Sequence, residues 1–354
     1  MSDRGALRLV SDEFLAQAVI AWQVAHGRHD LPWQNTRDPY RVWLSEIMLQ
    51  QTQVGTVLAY FERFLSRFPD VAALANASLD DVLGLWSGLG YYSRARNMHR
   101  CAQEVMHQHA GVFPQSAQQL QHLPGIGPST AAAIASLCFS ERVAILDGNV
   151  KRVLTRYLGF SQDLSVVVNE RRLWQLAHAL LPRTDLVDAM PRYTQGMMDL
   201  GATLCTARKP ACESCPLQNQ CVAHRQFTPL DFPVKTRRIK RSAQSIWMLW
   251  ARTQDGALWL NKRPTPGVWA GLYCFALFDS HQEMLASVPD VYRVRLLGLP
   301  VVKHVLTHKD LHLHPFQLEL PYDRPPNVSG AWFESSQWER LGMPAPVRKL
   351  LHWV

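Results

Sequence analysis

Apolar residues along the chain change their period once. From Ser11 to about Arg225 they recur at helical spacing between short punctuated turns, and no alternating run of useful length occurs. Asp38 followed by Pro39 opens one predicted helix, because an Asp side chain caps free N–H groups and proline suits the first helical position. Tyr40, Trp43, Leu44, Ile47 and Met48 then fall at i, i+3, i+4, i+7 and i+8, a single buried stripe. Ser116 with Gln119 predicts a capping box over a short helix ending near His122. Pro128 opens the next helix, whose Ala131, Ala132, Ala133 and Ala135 allow close backbone packing. Farther on, Ser245–Ala251, Ala257–Asn261 and Leu311–Leu320 alternate as strands do, with turns at Asp255-Gly256 and Pro264–Gly267, and Gln282–Ser287 reads as a helix. Between the two patterns stand Pro229, Pro233 and the basic Lys235, Arg237, Arg238, Lys240 and Arg241, a linker composition. The expectation is a multi-domain chain: an all-α region over 11–225, a basic linker over 226–243 and an α/β domain over 244–354.

Composition agrees with two folded cores, since 354 residues exceed one typical domain and 47% are hydrophobic. A net charge of +8 favours a polyanionic partner without naming it. The 12 tryptophans read equally as core filler or as surfaces for stacking on bases. No apolar run approaches the length a bilayer requires, and no secretory segment is seen at the start, so a cytoplasmic protein without a membrane partner is expected.

The cysteines add chemistry. Four of the seven, Cys205, Cys212, Cys215 and Cys221, lie in one stretch spaced C-x6-C-x2-C-x5-C, and the odd total argues against a disulfide framework. Four thiolates on short unequal loops suit one small inorganic centre. A single C-x2-C pair flanked by lone cysteines, with Pro216 after Cys215, favours a [4Fe–4S] cluster, with zinc as the alternative.

Three other features are ambiguous by themselves. Leu123-Pro124-Gly125-Ile126-Gly127-Pro128-Ser129 is either an ordinary turn between helices or a hairpin whose N–H groups hold a phosphate. Asp147, before Gly148 and Asn149, sits where a helix cap belongs, and the helix's positive end is expected to keep it ionised. Glu46 lies off the apolar stripe with Gln50 and Gln53 on its own side, which on most helices is a solvated face.

In combination they say more. A helix–hairpin–helix over about 116–139, an Asp some twenty residues later and a cysteine loop at 205–221 resemble the endonuclease III superfamily of DNA glycosylases. Leu31-Pro32-Trp33, the run from Tyr40 to Gln53, and Gly88-Leu89-Gly90-Tyr91-Tyr92-Ser93-Arg94-Ala95-Arg96-Asn97 are similar to one branch, the adenine DNA glycosylases of the MutY family. Arg263-Pro264 with Gly267-Val268-Trp269-Ala270-Gly271-Leu272 resembles that branch's Nudix-like C-terminal module.

The resemblance implies an all-α helix–hairpin–helix glycosylase region with an iron–sulfur loop, followed by an α/β Nudix-like domain. It implies a monomer that acts on double-stranded DNA, removing adenine opposite 8-oxoguanine or guanine and leaving an abasic site. Glu46 would be the general acid toward N7, Asp147 the anion beside C1′, and Asn149 an orienting group. A protonated Glu46 needs apolar walls, for which Trp33 and Trp43 are candidates. Gln195 and Asp199 match positions near the adenine pocket. Gln51 and Tyr91 would fill or wedge the gap left by the extruded base. Arg94, Arg96, Lys151, Arg152, Arg208 and Lys209 are expected phosphate contacts. Ser129 stands where strand-cutting relatives carry a lysine that forms a Schiff base, so hydrolysis alone is expected.

Three departures stand out. Leu306, Thr307 and His308 replace a Phe-Ser-His that the family often uses to read 8-oxoguanine, and Gln34 replaces a common arginine. The glutamate-rich sequence of a Nudix hydrolase does not follow Gly267, so pyrophosphohydrolysis is not expected. His304, His308, His312 and His314 lack a standard zinc spacing. The alternatives are a pyrimidine-lesion glycosylase with lyase action and a non-catalytic iron–sulfur protein that binds DNA.

Overall fold

The computed structural model describes residues 12–237 and 240–352. Ser11, Arg238 of the basic run and the last two residues lie outside the described residues. The helices of the first two thirds are α1 (Asp12–His26), α2 (Pro39–Leu49), α3 (Val54–Arg67), α4 (Val71–Asn76), α5 (Leu79–Leu85), α6 (Ser93–His109), α7 (Ala117–Leu120), α8 (Pro128–Phe139), α9 (Gly148–Leu158), α10 (Val167–Ala179), α11 (Leu186–Thr203) and α12 (Val222–Arg225). The caps read from the sequence form. Asp38 Oδ1 accepts from the Tyr40 N–H at 2.9 Å at the head of α2, and the five stripe residues Tyr40, Trp43, Leu44, Ile47 and Met48 are buried. Ser116 Oγ accepts from Gln119 N–H at 3.3 Å, and the Gln119 side chain takes the serine hydroxyl at 3.1 Å, closing the box through the hydroxyl. α7 ends at Leu120, before His122, because residues 121 and 122 are already in the turn.

Among the described residues, 12–61, 70–72 and 100–237 form one compact unit, and 62–69, 73–99 and 240–352 another. The core of the first gathers Leu15 and Val19 of α1, Val153 and Tyr157 of α9, Leu173 of α10 and Met197 and Leu200 of α11. The proline-bearing stretch after α12 is pinned to this unit: Leu164 N–H donates to Val234 O at 3.0 Å, Thr236 bonds Asp163, and Phe232 is buried.

The second unit is built on a sheet of β1 (Ser242–Arg252), β2 (Leu258–Lys262), β3 (Tyr273–Cys274), β4 (Ala276–Phe278), β5 (Leu297–Gly298), β6 (Val302–Val305), β7 (Lys309–Glu319) and β8 (Ala331–Phe333). β1 and β7 pair in parallel from Ser242↔Lys309 to Arg252↔Glu319, and the other pairs are antiparallel. With helices α13 (His281–Ala286), α14 (Asp290–Arg293), α15 (Ser335–Trp338) and α16 (Ala345–Leu351), this is the expected α/β domain. The predicted helix at 282–287 starts one residue early because Ser280 caps it, accepting from Glu283 N–H at 3.1 Å. Its interior alternates large and small residues, with Trp259 among Leu249, Ala251, Ala276 and Leu318.

Residues 73–99 are knitted to that sheet. Asp80 pairs with Lys262 at 2.6 Å and accepts from the Tyr273 hydroxyl at 3.1 Å, Arg96 donates to Ala270 O at 2.7 Å, and Tyr92 donates to Met343 O at 2.9 Å. Gly84 of α5 meets the turn before α16 so closely that a Cβ there would stand 2.2 Å from Arg340 O. Helix propensity alone gives Gly→Ala about 1 kcal/mol of stabilisation. The clash with a carbonyl reverses that sign, so Gly84→Ala lowers stability by about 1–3 kcal/mol, read as a fall in the urea midpoint of the intact protein.

Candidate active site and thiol loop

The hairpin between α7 and α8 leaves Gly125 and Gly127 exposed. Gly125 takes φ +78°, a conformation that favours glycine. Ser129, in the first turn of α8, accepts from the Leu146 N–H at 3.2 Å. That bond ties the hairpin to the residue just before Asp147. Asp147 caps α9, its Oδ1 accepting from Val150 N–H at 2.7 Å. Burial raises the Asp147 carboxyl above its ordinary range, against the lowering effects of the Val150 and Asn149 N–H groups, Arg152 and Lys151. The helix's positive end was expected to dominate. Burial outweighs it, because the cap faces the protein interior instead of water.

Glu46 is half-buried on α2 and opens on a cavity with Leu31, Trp33, Leu49, Val54 and Met198 among its walls. Its carboxyl is pushed up to about 7, first by burial and then by the negative charge of Asp147. The solvated-face reading of Glu46 is therefore corrected: residues from α3, α8 and α11 close over the side of α2 that its own stripe leaves polar. The two carboxyls therefore disfavour each other's ionisation. Of the two tryptophans expected around Glu46, only Trp33 lines the cavity. Trp43 is fully buried against Tyr40 and Phe113, at centroid distances of 6.0 and 5.3 Å.

A buried clamp backs the cavity. Asp199 is fully buried and holds Arg28 through its backbone N–H at 3.0 Å and its guanidinium at 2.6 and 2.7 Å. It also accepts from Gln195 Nε2 at 2.9 Å. Gln195 and Arg28 line the cavity, whereas Asp199 stands behind them and fixes both. Arg28 was missed in the sequence. It lies 171 residues from Asp199 in a loop without periodic pattern, and no local signal marks it.

Asn149 is fixed from two sides. Gly201 of α11 packs against it so tightly that a Cβ on Gly201 would come 2.7 Å from Asn149 Cβ. Arg152 donates to Asn149 Oδ1 at 2.8 Å and also to Gly201 O at 2.6 Å and Cys205 O at 2.7 Å. Arg152 is thus occupied inside the unit, and Lys151 is paired with Glu170, so neither is the free phosphate contact expected of it. Arg94 and Arg96 depart in the same way: Arg94 is buried, donates to the Leu89 and Gly90 carbonyls and lies over Trp86 and Tyr91. Arg208 and Lys209 are exposed, as expected.

The thiols of Cys205, Cys212, Cys215 and Cys221 line one cavity. Burial pushes Cys215 up to about 12, and the other three thiols add to the rise. As bare thiolates the four would repel one another, so the donor set fits a cationic inorganic core. Arg156 of α9, itself buried, threads the loop, donating to Cys205 Sγ at 3.3 Å and to the Thr206 and Ala207 carbonyls at 2.7 and 3.2 Å.

In the second unit, Tyr91 is 46% exposed at φ +48°, and its hydroxyl stands 3.1 Å from Thr307 Oγ1 in the β6–β7 turn. His308 is exposed in the same turn. Gln51, at φ +58°, is exposed just beyond the end of α2. Of the four histidines in this region, His314 stacks on Trp247 at 4.8 Å and His304 lies against Trp269.

Residues 44–178 match the family model of the HhH-GPD superfamily of base excision DNA repair proteins, 205–221 the iron–sulfur binding domain of endonuclease III, and 247–353 the NUDIX domain. Hairpin, enclosed carboxyl pair and thiol loop together define a helix–hairpin–helix DNA glycosylase that carries a [4Fe–4S] cluster. An adenine DNA glycosylase of Buchnera aphidicola subsp. Acyrthosiphon pisum (strain APS) is 36% identical over 345 residues, 95% of this chain and 96% of its own. The chain belongs to the adenine DNA glycosylase family. The Mus musculus adenine DNA glycosylase is 42% identical over 217 residues, 59% of this chain and 41% of its own length. Among solved structures, a thermostable thymine-DNA glycosylase aligns with TM-score 0.54 at 28% identity over 61% of this chain and 97% of its own. A non-covalent endonuclease III–DNA complex aligns at 0.50 and 20%, over 62% and 99%, a likeness of fold.

Two outcomes follow from this geometry. A carboxyl raised from its ordinary 4.5 to about 7 binds more protons folded than unfolded between those values, so its cost to stability grows as pH rises through them and is complete above about 7. Glu46→Gln therefore unfolds at higher urea than the parent at pH 8, by about 3 kcal/mol, and the advantage vanishes toward pH 4. Cys221→Ala, by removing one thiol of four, abolishes the visible iron–sulfur absorbance per mole of protein.

Proposed function

We propose that the protein is a monofunctional glycosylase that hydrolyses the N-glycosidic bond of adenine mispaired with 8-oxoguanine or guanine in double-stranded DNA, leaving an abasic site. The observation that carries this reading is the unequal carboxyl pair: Glu46 raised to about 7 in a walled cavity, with a charged Asp147 close enough to raise it. Cleaving a purine from its sugar calls for a proton on the departing base and negative charge beside the developing oxocarbenium ion. Glu46 donates its proton to N7, the C1′–N9 bond breaks with its electrons passing to the base, and Asp147 stabilises the cationic sugar. Water then adds at C1′ and loses a proton. Asn149, held by Arg152 and Gly201, orients the groups at the sugar. The cavity walls from Trp33, Gln195 and Arg28 receive the extruded adenine, and Asp199 sets the last two in place.

The hairpin glycines and Ser129 offer N–H groups to a phosphate. Ser129 has no amine with which to form an imine, which supports hydrolysis without strand cleavage. Gln51 and Tyr91 fill the space left by the base, and Thr307 and His308 face the opposing base. A [4Fe–4S] cluster held by Cys205, Cys212, Cys215 and Cys221 would fix the loop that bears the exposed Arg208 and Lys209. A monomer in the cytoplasm, acting on duplex DNA, completes the reading; among the described residues no helix is long and apolar enough to cross a membrane.

The test is single-turnover adenine release on duplexes that differ only in the base opposite adenine. Release opposite 8-oxoguanine and guanine but not opposite thymine is expected, and equal release opposite thymine refutes mispair specificity. Glu46→Gln binds the same duplex but loses cleavage by a factor of about 100 or more. Ser129→Lys gains a borohydride-trapped protein–DNA adduct that the parent lacks, as seen on denaturing gels.

A further inference from the structure

Adenine excision, as read above, raises a question of traffic. In that reading Gln51, just past the end of α2, fills the gap in the duplex, so the nucleotide enters from that end of the helix and its sugar stands between the freed base and the DNA.

A second cavity adjoins the first. The two share Arg28, Trp33, Val42, Leu137 and Gln195 as common walls. The second has a volume of about 370 Å³ against about 40 Å³ for the first, room enough for a purine base. Helix α2 gives their order. Leu49 and Glu46 line only the first cavity, Val42 lines both, and Arg37, just before the helix, lines only the second. At 1.5 Å per residue, the start of α2 at Pro39, next to Arg37, lies roughly 10 Å along the helix from Glu46, away from Gln51.

Its chemistry suits an uncharged planar ring. The arginines on its walls are already paired: Arg28 with Asp199, Arg37 with Val187 O and Ser140 Oγ at 2.9 and 3.4 Å, and Arg192 with Asp188 at 2.6 Å. Arg28 and Arg192 are thereby charge-compensated, while Arg37, with neutral partners, keeps its charge; all three offer planar guanidinium faces on which a ring can stack. Trp33 offers an aromatic wall common to both cavities.

We propose that the second cavity is an exit vestibule that takes the freed purine base while the abasic DNA is still bound. This inference rests on the adenine-excision reading. The test uses intact enzyme and an adenine:8-oxoguanine duplex carrying radiolabel in the target base, with rapid gel filtration after single-turnover cleavage. For the parent, label is expected in the small-molecule fraction while the abasic strand still elutes with protein. Arg192→Trp and Asn35→Trp, which narrow the outer walls from two separate segments, should cleave at the parent rate yet hold the label with the protein–DNA complex, slowing its departure roughly tenfold or more. Label leaving the parent only together with the DNA overturns the proposal, as does parent-like base departure in both tryptophan variants. If the parent frees no label from the DNA strand at all, the excision reading itself fails, and the inference falls with it.

Discussion

Two carboxyl groups that bear on each other electrostatically cannot both ionise freely, and the helical unit turns that repulsion into a division of labour. Asp147 has two N–H groups of the first turn of α9 and the charges of Arg152 and Lys151 to favour its anion. Glu46 has no such support among the causes of its shift, only burial and the charge of Asp147, so its carboxyl is held well above the ordinary range. The difference comes from the two helices. Asp147 lies at the N-terminus of one, where free N–H groups point at it. Glu46 lies in the third turn of another, where all backbone donors are used.

Keeping Asp147 and Asn149 in register demands that α9 not move, and arginines on its buried side supply the restraint. Arg152 spans Asn149, the Gly201 carbonyl and the Cys205 carbonyl, while one turn on Arg156 gathers Cys205, Thr206 and Ala207. These partly buried bonds have a cation as donor, which makes each stronger than a bond between neutral groups. The thiol loop is therefore fastened to the helix that carries the candidate catalytic Asp. Arg152, which looked in the sequence like a phosphate contact, is spent on this internal fastening.

Local signals in the sequence were reliable wherever a short-range rule governed them. Asp38 with Pro39, Ser116 with Gln119, and Asp147 before α9 each announce a helix start, and each caps one. The switch of period near residue 243 announced the α/β domain, and the cysteine spacing the thiol loop. Burial of Glu46 was not legible from its helix, since a position off the apolar stripe becomes enclosed only when distant segments such as Trp33 and Met198 arrive over it. The Arg28–Asp199 pair is hidden for the same reason: a buried ion pair between a loop and a helix 171 residues later leaves no periodic trace. Trp43 followed its stripe into the core, as periodicity alone would have placed it.

Within the second unit, the segment bearing Tyr91 is bound to the sheet module by side chains along its whole length, from Asp80 to Arg96. Tyr91 itself holds a left-handed backbone conformation, costly for an aromatic residue, and is secured by Arg94 beneath its ring and Thr307 at its hydroxyl. The threonine's hydroxyl supplies a partner for the tyrosine that a purely apolar turn residue could not. In the proposed reading this joins two tasks that the sequence presents 216 residues apart: the ring that enters the stack and the turn that meets the opposing base.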